Sequence, residues 1–286
     1  MSYKDETFLS SYTFLPILQD ACQSYLKSVK CREILLFLLF CNQIYMDTGM
    51  GNSYFQFKKF RIYQDRCAMK VGTDGVLLGA WCNVSSARRV LDVGTGTGLI
   101  ALMVAQRASQ SLVDAVEIDG EAARQASENV ALSEWKDRIT VFHEDFIRFS
   151  PGEGVFYDLI VSNPPFFENS LMPPVPSRQV ARHAGAFDLE CLFAGASRLL
   201  ASNGVLSVIY PASGLLRMKN VAQACSLSLS RLTYVRGRSG GEVKRVLTEW
   251  GRFPNKVEEK EICIETSRHV YTEEYIFLTR QFYLRM

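Results

Sequence analysis

The sequence contains a short, stiff polar corner, Asn163-Pro164-Pro165-Phe166. It follows the apolar run Tyr157 to Ser162, which predicts a buried parallel strand. Proline lacks a backbone N–H and fixes φ, so the chain leaves the strand rigidly and its carbonyl groups stay free to accept hydrogen bonds. In open α/β sheets, ligands bind at the carboxyl ends of the strands. The corner therefore predicts a ligand site, and the alternative is an ordinary proline turn that begins at Asn163.

A second candidate site is a glycine turn, Gly94-Thr95-Gly96-Thr97-Gly98, between a predicted strand and a predicted helix. Glycine tolerates positive φ and lets a ligand approach the backbone closely. The dinucleotide pattern Gly-x-Gly-x-x-Gly is not met, because Leu99 stands at the position of its third glycine. No Gly-Lys-Ser/Thr follows either, as a P-loop would require. A dinucleotide oxidoreductase and a P-loop protein are therefore both disfavoured.

Three acidic residues lie at the ends of consecutive predicted strands, although each alone is typical of a solvated loop or a helix cap. Asp92, two residues before the first glycine, suits a cationic amino group better than a pyrophosphate. Glu117 can accept both hydroxyls of a ribose. Asp145 can accept from an adenine amino group, and we expect Phe146 against the adenine ring. Together they predict a ligand with an amino group, a ribose and an adenine but no phosphate, which fits S-adenosylmethionine.

The elements that would position these residues alternate between strands and helices. Apolar runs separated by helical segments predict five parallel strands, over 89–93, 112–118, 138–142, 157–162 and 204–210. Two more runs, 228–235 and 243–250, flank a basic, glycine-rich segment and predict an antiparallel hairpin. The predicted fold class is α/β, with a mostly parallel seven-stranded sheet that ends in an antiparallel hairpin and helices on both faces. Ahead of this sheet, Thr73-Asp74 predicts the cap of a short helix over 75–81.

Composition narrows the class of protein. The chain has 286 residues and a net charge of +2, which permits a nucleic-acid partner through a local patch without requiring one. Eight cysteines without a Cys-x-x-Cys pair and three histidines argue against a zinc site or a disulfide framework. The apolar run Ile34 to Cys41 is far shorter than the roughly 20 residues of a transmembrane helix. We expect a cytoplasmic protein with reduced thiols, no metal and no membrane segment.

The motifs resemble those of class I, Rossmann-like methyltransferases. Val90 to Gly98 is similar to the cofactor motif of that class, and Asn163 to Phe166 resembles the catalytic motif of enzymes that methylate amide or exocyclic amino nitrogens. From about residue 51 to the end, the chain resembles the bacterial tRNA1(Val) adenine-37 N6-methyltransferases. That longer resemblance rests on three segments: Phe55-Gln56-Phe57-Lys58, Asp65 to Gly75 and Val116-Glu117-Ile118-Asp119.

The resemblance implies methyl transfer from S-adenosylmethionine to N6 of an adenine, with S-adenosylhomocysteine as the product. The Asn163 side-chain oxygen and the Pro164 carbonyl would accept the two N6 hydrogens, and Phe166 would stack on the base. The predicted catalytic residues are Asn163, Pro164, Pro165 and Phe166. The predicted cofactor-binding residues are Asp92, Gly94, Gly96, Gly98, Glu117, Asp145, Phe146 and Thr73.

The expected partner is tRNA, bound by a protein that we expect to be a monomer. Basic residues near the strand-end side of the sheet would contact phosphates. Any one of them alone is more typical of a solvated surface charge. The expected contacts are Lys58, Lys59, Arg61, Arg182, Arg236, Arg238, Lys244 and Arg245.

Two other functions compete with this one. A protein glutamine N5-methyltransferase acting on a release factor uses a similar Asn-Pro-Pro corner, but typically with tyrosine where this chain has Phe166. It also carries a helical recognition domain ahead of the cofactor motif, and residues 1–49 are poorly suited in sequence to form such a domain. A non-catalytic RNA-binding protein on the same fold is the second competitor, and the presence of Asn163 and Asp92 argues against it.

Residues 1–49 differ from the rest of the chain in their hydrophobic pattern, since hydrophobic residues before Ile34 do not recur at a clear interval. They are a helical accessory segment, a failed signal-like segment, or upstream codons included by a wrong start. We favour the third interpretation, with Met50 as the natural start and 50–286 as the methyltransferase domain. A chain expressed from Met50 that failed to fold or act would refute it.

Overall fold

The computed structural model of the protein describes residues 52–166, 188–254 and 256–286. The strands, numbered in chain order, are β1 (Tyr54–Gln56), β2 (Arg61–Tyr63), β3 (Arg89–Val93), β4 (Leu112–Glu117), β5 (Ile139–His143), β6 (Tyr157–Ser162), β7 (Leu200–Pro211), β8 (Ser228–Arg238), β9 (Val243–Gly251), β10 (Glu258–Ser267) and β11 (Val270–Tyr271). The α-helices are α1 (Thr73–Trp81), α2 (Leu99–Arg107), α3 (Gly120–Ala131), α4 (Leu189–Leu199), α5 (Leu215–Ala224) and α6 (Glu273–Thr279). A 3-10 turn, Ala212–Gly214, precedes α5.

Nine of these strands form one sheet, in the order β11-β10-β8-β9-β7-β6-β3-β4-β5. Strands β3 to β7 pair with one another in parallel, and β9 runs antiparallel to both β7 and β8. All seven predicted strands are present, so the mostly parallel sheet with an antiparallel hairpin is confirmed. The sheet also carries β10, parallel to β8, and the short β11 beyond it. No local sequence pattern predicts these two strands, because β10 opens with four exposed charged residues, Glu258 to Glu261.

Side chains alternate across the central strands, so the two faces of the sheet carry separate apolar cores. In β6, Leu159 and Val161 join the cluster that contains residues of α1, α2 and α6, whereas Ile160 joins the cluster that contains residues of α4 and α5. All three side chains are fully buried. The predicted placement of helices on both faces is therefore confirmed.

The antiparallel end of the sheet extends the edge where the parallel strands finish. Because β9 runs opposite to β7, its Arg245 pairs with Pro211, the last residue of β7. The end of β8 returns to the same edge, and β10 then places Glu265 opposite Arg238. The carboxyl ends of β3 to β8 and the final residues of β10 thus share one edge, which is where α/β sheets bind ligands.

Several expectations fall on residues beyond the structural description. The status of residues 1–49 and the tRNA contact expected of Arg182 lie outside the described residues, so both stay predictions. Asn52–Met286 forms one compact unit. Within the described ranges, no helix combines the length and the apolar composition that crossing a membrane requires. The same ranges contain no group of three or more His, Cys, Asp or Glu side chains arranged to hold a metal ion.

Candidate active site

The glycine turn between β3 and α2 is held at the carboxyl edge by the neighbouring strand. The backbone N–H groups of Gly94 and Thr95 both donate to the Val116 carbonyl in β4, at 2.9 and 3.1 Å. Gly94, Gly96 and Gly98 have φ values of 68°, 57° and 81°. Residues with side chains adopt this left-handed region only under strain, so the turn depends on glycine. The resulting backbone leaves its upper surface open to a ligand.

Asp92 lies beneath this turn and has no exposed surface. Its Oδ2 accepts hydrogen bonds from Thr95 Oγ1 at 2.6 Å and from the Ala101 N–H at 3.1 Å, which ties the turn to the first helical turn of α2. Its Oδ1 is buried and has no partner among the described residues. Burial raises the pKa of the Asp92 carboxyl to about 7, although the bonds from Thr95 and Ala101 act in the opposite direction.

Glu117 closes the turn from the end of β4. Its Oε2 accepts from the Gly96 N–H at 2.8 Å, and its Oε1 accepts from the Asp119 N–H at 3.0 Å. Each carboxylate oxygen retains a further lone pair for a ligand hydroxyl. The structure thus places Glu117 directly against the glycine turn, as its position in the sequence suggested.

Asp145 and Phe146 follow β5, and their side chains lie in different surroundings. The Asp145 carboxylate accepts from the Ile147 N–H at 2.9 Å, and the preceding Glu144 N–H donates to the Glu117 carbonyl at 2.9 Å. Phe146 is only 4% exposed and packs beneath α4, where a Cβ added to Gly195 would lie 2.4 Å from its ring. The ring therefore fills the core instead of facing the turn, and its expected contact with an adenine has no support in this placement.

A cavity of about 440 Å³ lies above the glycine turn. Of the predicted site residues, it is lined by Thr73, Gly94, Gly96, Asn163 and Phe166. The other predicted cofactor-binding residues, Asp92, Gly98, Glu117, Asp145 and Phe146, support the turn or lie outside the lining. The whole segment 69–75 also lines the cavity, and Thr73 is the only residue of this segment that was predicted to bind the cofactor.

Asn163 stands at the end of β6, beside the end of β3. Ser162 pairs with Val93 and donates its hydroxyl to the Val93 carbonyl at 2.9 Å, which fixes the strand end immediately before the corner. The Asn163 Oδ1 atom is buried and has no hydrogen-bond partner among the described residues. A buried amide oxygen without a donor costs about 1–3 kcal/mol. Asn163 therefore offers, at the wall of the cavity, an acceptor that no described residue uses.

Phe166 packs against Arg245, a residue that was predicted to contact tRNA. The Arg245 Cζ atom lies 4.4 Å from the centroid of the Phe166 ring, and its Nε donates to Asp74 Oδ2 at 2.9 Å. Tyr210 meets the same ring edge-on, with centroids 6.2 Å apart. Asp74 does not cap α1, because Gly72 occupies the cap position without a side-chain hydrogen bond. Asp74 instead anchors the cation that packs on the aromatic ring of the corner.

The other basic residues expected to contact tRNA are mostly engaged within the protein. Arg236 pairs with Glu261 at 2.7 Å and Arg238 with Glu265 at 3.6 Å. The remaining contacts are Lys58 with the Arg280 carbonyl at 2.7 Å and Arg61 over the Tyr54 ring at 4.3 Å. Lys59 and Lys244 are exposed. Arg236 and Arg238 would therefore have to leave these ion pairs to contact phosphates.

The sequence of this chain is similar to those of known proteins. Residues 70–215 match the family model described as the methyltransferase small domain. A protein of Phocaeicola vulgatus named tRNA1(Val) (adenine(37)-N6)-methyltransferase is 50% identical over 237 residues, which cover 83% of this chain and 100% of that relative. The chain belongs to the tRNA1(Val) (adenine(37)-N6)-methyltransferase family.

Further relatives bear the same name. The methyltransferase is 47% identical to one from Bacteroides fragilis, over 83% of its own length and 100% of the relative. It is also 47% identical to one from Aeromonas hydrophila, over 82% and 99%. A solved structure described as a predicted O-methyltransferase from Agrobacterium tumefaciens aligns with a TM-score of 0.54 at 20% identity, covering 73% of this chain and 96% of that one. That likeness confirms the class I methyltransferase fold.

Proposed function

We propose that the protein transfers the methyl group of S-adenosylmethionine to the exocyclic N6 of adenine 37 in tRNA1(Val). The observation that carries the proposal is Asn163 Oδ1, which has no partner within the described ranges and lies at the wall of a cavity built on a methyltransferase glycine turn. An exocyclic amino group supplies the donor that this acceptor lacks. Membership of a family whose relatives carry the name of this reaction supports the choice of adenine and of tRNA.

The residues around the turn fit S-adenosylmethionine, which supplies an electrophilic sulfonium methyl group when bound. Asp92 Oδ1 is buried, has no partner in the described part of the chain and can accept from a cationic amino group. Glu117 retains acceptor capacity for the ribose hydroxyls. Gly94 and Gly96 line the cavity without side chains that would fill it. We propose these four residues as its principal binding groups, with Thr73 on the facing wall and Asp145 beside the adenine.

The catalytic corner acts on the amino group of the target base. The lone pair of an adenine N6 is delocalised into the ring, so the nitrogen is a poor nucleophile. We propose that Asn163 Oδ1 and the Pro164 carbonyl each accept one N6 hydrogen, which draws the nitrogen toward a tetrahedral geometry and frees its lone pair. Pro165 keeps the corner stiff, and Phe166 stacks on the flipped base. The product ammonium is very acidic, so no strong general base is required.

Binding of tRNA would combine this base pocket with phosphate contacts. Lys59 and Lys244 are exposed, whereas Arg236 and Arg238 would exchange their carboxylate partners for phosphates. Arg182 remains a candidate outside the described residues. Such contacts make affinity fall steeply with salt. We propose a cytoplasmic, metal-independent enzyme that acts as a monomer, because its tRNA substrate is cytoplasmic and the proposed chemistry needs neither a metal nor a second subunit.

The test supplies labelled S-adenosylmethionine with total tRNA in one reaction and with a peptide release factor in another. Nucleoside analysis is expected to find the label in N6-methyladenosine from tRNA. Label in glutamine of the release factor would replace this function with protein methylation. If a folded protein that binds S-adenosylmethionine labels neither substrate, the proposal is overturned.

A further inference from the structure

A second cavity of about 550 Å³ lies next to the first. The two share the wall Val71-Gly72-Thr73, which faces the glycine turn on one side and the end of β10 on the other. Gly237 and Ile264 line the second cavity from the ends of β8 and β10. It therefore opens on the same sheet edge as Asn163, and its volume is that of a small-ligand site. The proposed methyl transfer assigns it no role.

The lining of this second cavity is aromatic. Tyr271 and Tyr275 have ring centroids 5.3 Å apart, and Phe55 meets Tyr283 at 6.1 Å. The hydroxyls of Tyr275 and Tyr283 lie 3.5 Å apart, and Tyr275 is only 2% exposed, so the exposed ring of Tyr271 is the more accessible aromatic face of the cavity. Burial raises the pKa of both phenols above their usual value. Both hydroxyls therefore stay protonated and able to donate at neutral pH.

Two charged side chains also line this cavity. Arg285 is exposed, and within the described part of the chain its guanidinium has no carboxylate partner. Glu265 is paired with Arg238 at 3.6 Å, so its charge is partly balanced. Aromatic faces beside one available cation match the chemistry of a nucleotide, whose base stacks on a ring while its phosphate meets the cation.

We propose that this second cavity binds an unstacked nucleobase that neighbours the target adenine in the RNA. The inference rests on the proposed function and names the second contact of the same substrate. A base that enters an active site leaves its stack, and its neighbour loses stacking with it. An aromatic cavity that shares a wall with the target's cavity offers that neighbour a replacement stack. This stacking contact would position the target adenine without depending on the identity of the neighbouring base.

Gly237 gives a way to close the cavity without disturbing the fold. Side chains of a strand alternate, so Gly237 faces the same side of the sheet as the buried Val235. A Cβ added at Gly237 would meet nothing within 4 Å, and its φ lies outside the left-handed region. Gly237→Leu therefore places a leucine in the cavity, and Gly237→Ala fills it less. A matched addition far from both cavities is Ser109→Leu, in the exposed turn before β4.

Kinetics with the full chain, tRNA and S-adenosylmethionine test the proposal. Gly237→Leu is expected to raise KM for tRNA about tenfold, in line with the loss of one stacked base. We expect KM for S-adenosylmethionine and kcat at saturating tRNA to change less than about twofold, Gly237→Ala to fall between, and Ser109→Leu to match wild type. An unchanged KM for tRNA in a folded Gly237→Leu variant would overturn the proposal, as would an equal loss of cofactor affinity.

Direct binding gives a second readout. A stem-loop RNA with 2-aminopurine on one or the other side of the target adenine is expected to lose fluorescence when one of these bases stacks in the wild-type protein. Gly237→Leu and Tyr271→Ala should both abolish that change. Identical quenching in both variants would overturn the inference even if wild type methylates tRNA normally. A wild-type protein that methylates no tRNA would instead refute the proposed function.

Discussion

At the scale of single residues, the proposed reaction centre contains two buried oxygen atoms that have no hydrogen-bond partner among the described residues. Asp92 Oδ1 lies under the glycine turn and Asn163 Oδ1 lies at the end of the adjacent strand. Each costs the ligand-free protein about 1–3 kcal/mol, which ligand donors would recover. In our account the first oxygen receives a cationic amino group and the second an N6 hydrogen, so the cost of leaving both unpaired is offset only in the complex.

Cofactor binding should depend on pH through Asp92, whose carboxyl has a pKa of about 7 in the ligand-free protein. The ionised form is the one that attracts a cationic amino group. We therefore expect affinity for S-adenosylmethionine, measured calorimetrically, to fall about fivefold between pH 7 and pH 6, where the ligand amino group stays protonated and only the carboxyl titrates. Asp92→Asn should bind weakly with a flat profile. A wild-type affinity that is equal at pH 8 and pH 6 would contradict this role.

The same carboxyl should affect the stability of the ligand-free fold. Its folded-state pKa of about 7 lies above the ordinary value of 3.8, so the native state holds the proton more tightly than the unfolded state does. Stability should therefore fall as pH rises from about 4 to about 7. Asp92→Asn removes this group's contribution to that slope, and we expect it to raise Tm at pH 8 by roughly 2–5 °C. A lower Tm at pH 8 would contradict the expectation.

Arg245 should act through Phe166 more than through tRNA phosphates. Arg245→Met removes both the cation on the ring and the ion pair with Asp74. We expect kcat to fall about tenfold because the ring is less firmly placed, with KM for tRNA within about threefold. Arg245→Lys, which retains the charge, should recover part of kcat. A rise in KM with a shallower salt dependence and an unchanged kcat would show a phosphate contact instead.

At the scale of elements, the catalytic edge depends on how β8 and β9 are fastened to the parallel strands. Arg231 on β8 donates through Nε to Glu249 Oε2 on β9 at 2.9 Å. Its guanidinium also lies 3.6 Å from the centroid of the Trp81 ring in α1. Glu249 is only 6% exposed, and its carboxylate further accepts from the Asn83 N–H at 3.1 Å. This cluster joins the hairpin to the helix that carries Thr73 and Asp74.

Breaking that cluster should lower stability while sparing the chemistry. Arg231→Met leaves the Glu249 carboxylate buried without its cation, which costs about 3 kcal/mol in comparable sites. Urea denaturation should show this loss, and kcat of the folded protein should stay near wild type. The pair Arg231→Met with Glu249→Gln should recover a large part of the stability. A loss below about 1 kcal/mol for Arg231→Met would contradict the account.

The strands differ in how well the local sequence predicts them. Parallel strands such as β3 and β6 are buried on both faces, so their uninterrupted apolar runs made them predictable. Edge strand β10 is polar, and its place comes from pairing with β8, which no local pattern encodes. The capping prediction at Thr73-Asp74 was wrong for a similar reason, because the Asp74 side chain is taken by Arg245 from the far end of the chain.

At the scale of the whole molecule, the sequence predicted the grouping of Asn163 with the glycine turn better than it predicted contacts between distant segments. Asn163 and the glycine turn are local motifs whose roles follow from residue type and strand position. The contact of Arg245 with Phe166 arises from the register of β9 against β7, and the second cavity arises from segments separated by more than two hundred residues. Such contacts depend on topology, so residue patterns alone could not predict them.

A further question for the whole molecule is which residues are needed for folding and activity. We propose that residues 50–286 fold and act without the preceding 49 residues. A chain that begins at Met50 should then match the full chain in Tm within about 2 °C and in kcat within about twofold. Loss of folding or activity in the shorter chain would refute the hypothesis that Met50 is the natural start.

The most direct test of the central claim maps the methyl group in the RNA. Unmodified tRNA1(Val) would be incubated with S-adenosylmethionine and either the wild-type protein or Asn163→Ala, and the digested RNA analysed by mass spectrometry. We predict one methyl group on N6 of adenine 37 with wild type, and a kcat lowered at least about 100-fold in Asn163→Ala while that variant still binds S-adenosylmethionine. Methylation at another nucleotide, or Asn163→Ala working at the wild-type rate, would contradict the account.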